Sequence, residues 1–331
     1  MNSVLIVGDG IAAWCLSFYL NQVGKACDHF SQEKISSACS LNSTAINCLR
    51  GTQKGISFLG DLMVDSYHDF SEFNERFLPA GVTEGVEVHF FNDLDRFKRR
   101  YPNFAKHKGE YPVQNFDYYQ LEPAQMISPE KLKIWFHQQA HKTQYQSVWV
   151  RSIEAYKNGF RVKAGGDELF YKEVYLCGGA MMNTLARGFS SVFDTYLDFS
   201  TAVCGSYYEY EIDEDFYPED ISFSLDKYHV VIHGREGKLL VGSTSQPGAL
   251  KLPSPELSEI DTFARDRMQI DIPPLEQAKI KTGLRFKGRK RTPFWGEIAP
   301  GLKVVCGLYK NGYSFAFKAA KDLVISQRTP F

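Results

Sequence analysis

The chain begins with a short apolar run, Val4-Leu5-Ile6-Val7, rich in β-branched residues. A strand covered on both faces carries that pattern, so a buried parallel strand is expected here. From Ile11 to Val23 apolar side chains recur at helical spacing, and Gly24 follows as a stop. A second strand is expected over 26–30. Farther along, Val86–Phe91 alternates apolar and polar residues, as a strand with one wet face does. Ser128-Pro129 opens a helix reaching about Lys142, because the N–H that proline lacks is one a first turn leaves unbonded. Strands are expected at 148–153, 159–164 and 173–177, with turns at Gly165-Gly166 and Gly178-Gly179. Gly205–Glu211, His229–Gly234 and Lys238–Gly242 alternate again and predict an antiparallel sheet, with a helix over Pro253–Arg267. The stretch 280–325 returns to the first lobe. The pattern therefore predicts an α/β lobe from residues 1–70, 121–200 and 280–331, and an α+β lobe from 71–120 and 201–279.

At 331 residues the chain is long enough for two lobes of ordinary size. The net charge of −1 gives no global basic field for nucleic acid or an anionic membrane. The seven cysteines are scattered, without a C-x-x-C pair. That argues against zinc, a redox dithiol or a disulfide framework, and a reducing cytoplasm is expected. No metal site is expected. Asp9 interrupts the first apolar run and no cationic segment precedes it, so it reads as a strand and helix rather than a signal peptide. No stretch is long and apolar enough to span a bilayer.

Between the first strand and helix lies Gly8-Asp9-Gly10-Ile11-Ala12-Ala13, the G-x-G-x-x-A form of a dinucleotide-binding fingerprint. Gly8 and Gly10 permit a tight turn and close backbone approach, and Ala13 is small where helix meets strand. The N–H groups that open the helix at Ile11 and Ala12 would face a pyrophosphate, whose charge the helix dipole favours. An acidic residue usually ends the second strand and holds ribose hydroxyls. Here the place falls on Ser31 or Gln32, which offers a neutral acceptor or leaves the sugar less well held. Ser36–Gly51 is dense in small and hydroxyl side chains and suits a loop and helix start over a phosphate and a flavin edge. Asp95–Arg100 is a charge run that reads as a solvated helix or turn, with nucleic-acid contact as the sharper alternative.

Together these segments resemble the D-amino-acid oxidase (DAO) superfamily of FAD-dependent oxidoreductases, most of all glycine oxidase and the FAD domain of the bifunctional tRNA wobble-uridine modification enzyme. The likeness rests on the glycine turn, Ala38-Cys39-Ser40-Leu41-Asn42, Ile127-Ser128-Pro129, Leu176-Cys177-Gly178-Gly179-Ala180 and Leu240-Val241-Gly242-Ser243-Thr244. Thr282-Gly283-Leu284-Arg285, Pro293-Phe294-Trp295-Gly296 and Gly307-Leu308-Tyr309-Lys310-Asn311-Gly312 then follow in family order. The resemblance implies a Rossmann-like FAD-binding domain of the glutathione-reductase type beside an α+β substrate domain built on an antiparallel sheet. It places Ser40 and Asn42 over the flavin, Val150 at the adenine, and Cys177 and Gly178 near the adenine ribose. Gly307 and the loop Asn311, Gly312, Tyr313 and Ser314 fall beside the ring. Arg285 falls on the arginine that grips a substrate carboxylate, and Lys310 replaces a common arginine. No cysteine lies between Lys287 and Trp295, where some relatives tether flavin, so FAD is expected to be non-covalent.

Three functions follow as expectations. The first is oxidation of the C–N bond of an amino acid or secondary amine bearing a carboxylate, by hydride transfer to flavin N5. The second keeps the chemistry but takes a carboxymethylaminomethyl group on tRNA, steered by the basic stretch Lys279–Arg291. The third is a flavoprotein acting on a protein partner, with the aromatics of Phe70–Phe77 and Tyr111–Tyr119 as an interface. A nicotinamide dehydrogenase is a weaker alternative.

Overall fold

The computed structural model describes residues 3–326 apart from 32–38, 50–51, 53–54, 92–94, 96–97, 99–117, 214–218, 226–227, 249–254 and 269. In chain order the elements begin β1 (Val4–Val7), α1 (Ile11–Gln22), β2 (Cys27–Ser31), β3 (Ile46–Cys48) and α2 (Phe58–Phe77). Then come β4 (Val82–Phe91), β5 (Tyr118–Ile127), α3 (Pro129–Gln139) and β6 (Thr143–Ser147). A meander follows as β7 (Val150–Tyr156), β8 (Gly159–Ala164) and β9 (Asp167–Tyr171), leading into β10 (Glu173–Leu176) and α4 (Ser191–Asp198). The second sheet adds β11 (Thr201–Glu211), β12 (Ile221–Leu225), β13 (Tyr228–His233), β14 (Lys238–Gly242) and β15 (Gln246–Pro247). The chain closes with α5 (Pro255–Arg267), β16 (Lys279–Lys287), β17 (Phe294–Ala299), β18 (Leu302–Cys306) and α6 (Gly312–Lys321).

One sheet has the order β17-β18-β10-β1-β2-β6, parallel throughout except for β17. Every residue of β1 and β2 is buried because both faces are covered. Helices α1, α3 and α6 pack on one face and share a core with Phe70 and Phe73 of α2. The β7–β9 meander covers the other, where Ile153, Phe160 and Val162 meet Leu5, Val7 and Leu176. This is the expected Rossmann-like architecture of the glutathione-reductase type.

The second sheet runs β15-β11-β14-β13-β12-β4-β5-β3, with β16 added beside β11. All its pairs are antiparallel except β4 with β12. Its outer face, built from Val88, Phe90, Phe223, Val230 and Ile232, packs on Leu257, Ile260 and Ala264 of α5.

The lobes do not divide the chain at the expected boundaries. Helix α2 crosses residue 70 without a break and belongs to the nucleotide lobe, its Phe73 ring 4.6 Å from Phe317 of α6. Strands β3, β5 and β16, expected in the nucleotide lobe, pair instead in the second sheet. Boundaries set by composition miss this because a strand joins whichever edge offers it hydrogen bonds, however far away in sequence. For the same reason Ile46–Cys48 is a strand against Ala124–Met126, where a loop and helix start was expected.

Candidate active site

The two ends of the chain meet at the carboxyl end of the parallel sheet. Gly8 has φ +136, and a Cβ there would lie 2.4 Å from the Cys177 carbonyl oxygen. The Cys177 N–H donates to the Val7 carbonyl at 2.7 Å, which clamps β10 to the glycine turn. Helix α1 opens on Gly10 with no side-chain cap of its own. Ser40 Oγ, from a distant turn, accepts the Ile11 N–H at 2.9 Å, and the Tyr313 hydroxyl donates to the Ser40 carbonyl at 2.6 Å. The Ser314 hydroxyl donates to Asn47 Oδ1. Asp9, a charge at the glycine turn, is compensated: Lys133 Nζ on α3 lies 3.0 Å from its carboxylate and 5.7 Å above the Trp14 ring.

Beneath the turn, His29 donates from Nε2 to the Gly8 carbonyl at 2.6 Å and accepts the Ser17 hydroxyl at Nδ1, 3.0 Å away. Burial pushes its pKa down to about 4, although the Gly8 carbonyl and Asp9 act in the opposite direction. The folded protein therefore holds His29 neutral, whereas the unfolded chain protonates it near pH 6.5. Its contribution to stability is full above pH 6.5 and is lost as pH falls toward 4. The loss expected by pH 4.5 is on the order of 3 kcal/mol. Urea unfolding of wild type and His29→Leu checks this. The wild-type midpoint should fall relative to the variant between pH 7 and pH 4.5, and parallel curves would refute it.

Between the lobes lies a cleft of about 250 Å³ lined by Ile11, Ser40, Asn42, Arg285, Lys310, Asn311, Gly312, Tyr313 and Ser314 among others. Nine of the residues singled out from the sequence thus share one wall system. Gly8, Gly10, Ala12, Ser31, Cys177 and Gly178 do not line this cleft; they lie at the β1–α1 turn and the ends of β2 and β10. Ser31 is buried, and Gln32 lies outside the described residues. Val150 is a core residue of β7, and Gly307 takes φ +71 after β18.

Arg285 sits on β16 with Nη2 donating to the Thr244 carbonyl at 2.8 Å and its guanidinium 5.7 Å from the Tyr309 ring centre. It has room because position 205 on the adjacent strand is glycine. A Cβ at Gly205 would stand 1.6 Å from Arg285 Nη2. Gly283, two residues earlier on β16, admits the 39–42 turn, with Asn42 O 3.0 Å from where its Cβ would be. Lys310 is exposed, with Nζ 5.8 Å from the other cation's partner ring, Tyr309. Burial pushes the Cys39 thiol up to about 11, Arg285 easing the rise, so it stays a thiol at neutral pH. Burial also raises the Tyr207 and Tyr313 phenols.

The family model for FAD dependent oxidoreductases, DAO, matches residues 3–324. The chain belongs to this family. Among solved structures this DAO oxidoreductase is similar to glycine oxidase from Geobacillus kaustophilus, with a TM-score of 0.77, 20% identity, and 100% and 96% of the two chains covered. Glycine oxidase from Bacillus cereus gives a TM-score of 0.79 at 16% identity, covering 100% of this chain and 99% of the other. Iminodiacetate oxidase from a Chelativorans species gives 0.76 at 14%, covering 99% and 96%. A search of curated protein sequences returns no match.

The residues of this DAO oxidoreductase fit FAD. The Gly8 turn leaves no room for a side chain, and α1 opens uncapped by its own Gly10. Helix α6 opens on Asn311, also without a side-chain cap, and directs its positive dipole end into the cleft. Among the described residues no cluster of three or more His, Cys, Asp or Glu could hold a metal, and no helix is long and apolar enough to cross a membrane.

Several lining residues were not anticipated from the sequence: Glu87, Gly205, Tyr207, His229 and Tyr309. Glu87, Gly205, Tyr207 and His229 sit in ordinary strand patterns, and only the joining of β4, β11 and β13 in one sheet brings them to the cleft, whereas Tyr309 comes from the loop between β18 and α6. The interface reading also changes. Phe70 and Phe73 are core, Tyr119 is buried, and Tyr111–Phe116 lie outside the described residues. On the basic strand, Lys279 pairs with Glu211, and Lys281 lies 3.5 Å from Glu209. Of the Asp95–Arg100 run only Asp95 and Lys98 are described.

Proposed function

We propose that this protein oxidises the C–N bond of an amino acid or secondary amine that bears a carboxylate. The reading is carried by Arg285, a guanidinium held between Thr244 and Tyr309 in the cleft that the α6 N-terminus faces. A guanidinium fork grips a carboxylate in two places. Neighbours named glycine oxidase and iminodiacetate oxidase support the substrate class.

Gly8, Gly10, Ile11 and Ala12 would hold the FAD diphosphate, with Ser31, Cys177 and Gly178 at the adenosine sugar and Val150 at the adenine. Ser40 and Asn42 would flank the ring, and Gly307 with Asn311–Ser314 would support its pyrimidine edge, all without a covalent link. When bound, FAD supplies the two-electron acceptor for a hydride from the substrate carbon beside nitrogen, leaving an imine that water hydrolyses. Arg285 fixes the carboxylate and so sets which substrate hydrogen faces the acceptor. Such alignment is worth effective molarities of about 10⁵ M or more. Arg285 and Lys310 also place positive charge near the amine, which favours the neutral form needed for oxidation. On the basic stretch that the tRNA reading would use, Lys279 and Lys281 are paired with Glu211 and Glu209, and Arg289, Lys290 and Arg291 are exposed.

The purified protein should show flavin absorbance that bleaches anaerobically with at least one carboxylate-bearing amine. Persistence of oxidised flavin across a broad panel of such amines would overturn this substrate class.

A further inference from the structure

Asp9 stands between Gly8 and Gly10, directly before the opening of α1. A carboxylate at that place has two unfavourable consequences for a diphosphate. It carries the same sign of charge, and it is drawn to the same positive helix end. In this fold the side chain is committed elsewhere. Lys133 Nζ on α3 lies 3.0 Å from Asp9 Oδ2, and Trp14 Nε1 donates to Oδ1 at 3.4 Å. Among the described residues these are the two groups that bond the carboxylate, and the Ile11 N–H that opens α1 goes to Ser40 Oγ instead.

Cation, carboxylate and indole close into one set, because Lys133 Nζ also stands 5.7 Å from the Trp14 ring centre. The set is largely dry. The Lys133 and Asp9 side chains are 17% and 11% exposed, and Trp14 is fully buried. Salt screens such a pair little, and removing one partner leaves the other as an uncompensated charge. Lys133 therefore decides whether the glycine turn presents a net negative charge to whatever binds there.

We infer that Lys133 is a positioning residue for cofactor binding. With Trp14 it draws the Asp9 carboxylate toward α3 and offsets its charge, which keeps the α1 N-terminus open to the FAD diphosphate. Lys133 acts through Asp9 and needs no contact with the cofactor. Without it, a charged carboxylate is left beside the diphosphate seat, released to compete for the first N–H groups of α1. The inference rests on the diphosphate seat proposed above.

Titration of the deflavinated full-length chain with FAD, followed by flavin fluorescence, tests it without reference to turnover. Lys133→Met is expected to raise the Kd for FAD at least about tenfold, the scale of one uncompensated charge at a partly buried site. Adding Asp9→Asn to Lys133→Met should recover most of that loss, since the amide keeps the shape of the side chain and removes its charge. Asp9→Asn alone should bind FAD at least as tightly as wild type, and Lys133→Arg should bind as wild type does. An unchanged Kd in Lys133→Met, a loss that Asp9→Asn does not recover, or weaker binding by Asp9→Asn alone would each overturn the role given to Lys133. Those outcomes leave the seat itself standing if Gly8→Ala still loses its flavin. Full flavin retention by Gly8→Ala would instead remove the seat and this inference together.

Discussion

Replacing Arg285 with alanine is expected to lower kcat/KM for every carboxylate-bearing substrate at least about thirtyfold, with flavin content unchanged. Truncating one partner of a desolvated, hydrogen-bonded charge pair costs about 2–5 kcal/mol, and 2 kcal/mol is already that factor. Arg285 is half-buried between Thr244 and Tyr309, so its pairing with an anion is only partly screened. A rise in KM alone would mean the grip acts equally on substrate and transition state. A fall in kcat as well would show that it aligns the reacting carbon. Gly205→Ala should act in the same direction without touching the substrate, because its Cβ would occupy the space 1.6 Å from Arg285 Nη2. The guanidinium is the flexible party and would move. The two substitutions act through one side chain, so the double variant should be little worse than Arg285→Ala alone. An Arg285→Ala enzyme with wild-type kcat/KM for all amines it turns over would remove the carboxylate role.

Gly8→Ala is expected to be the most damaging single-methyl change in the nucleotide lobe. The backbone there has φ +136, a region that costs an L-residue about 1–3 kcal/mol. The added methyl would also meet the Cys177 carbonyl at 2.4 Å, and backbone cannot yield as a side-chain tip does. Overpacking adds about 1–3 kcal/mol. The strain falls on the turn between β1 and α1 and on the β10 end clamped to it, the two segments proposed to hold the diphosphate and the ribose. Flavin per protein, read from the ratio of visible to near-ultraviolet absorbance, should collapse, and the melting temperature should fall. Retention of full flavin by Gly8→Ala would refute the proposed diphosphate seat.

Much of the nucleotide lobe was legible because its signals are local. A short β-branched apolar run before a glycine pair favours a doubly covered strand, and Gly8 and Gly10 after it favour a turn approached by backbone. The core strands β1, β2 and β10, the β7–β8 pair and the return of the tail to the first lobe were expected, whereas β6, β9, β17 and β18 were not. The second lobe was legible only as alternating strands. Nothing in Val86–Phe91 told which face met the cofactor lobe, since Glu87 and Val88 are equally good strand residues until one side is covered by α5. The aromatics of α2 illustrate the same limit. Phe70 and Phe73 suit an interface as well as a core, and only packing on Phe317, nearly 250 positions later, decides it.

What the sequence by itself determined is the class of protein: the glycine turn is readable because its chemistry lies within a few consecutive residues, while Arg285 and the helix start near the C-terminus were singled out through the resemblance to the family. What only the tertiary structure decided is the make-up of the cleft, where Gly205 clears space for Arg285 and the joining of β4, β11 and β13 in one sheet brings Glu87, Tyr207 and His229 to its wall. Strand pairing is a long-range choice made by hydrogen bonding and burial together, so the residues it juxtaposes leave no mark in the local pattern of the chain.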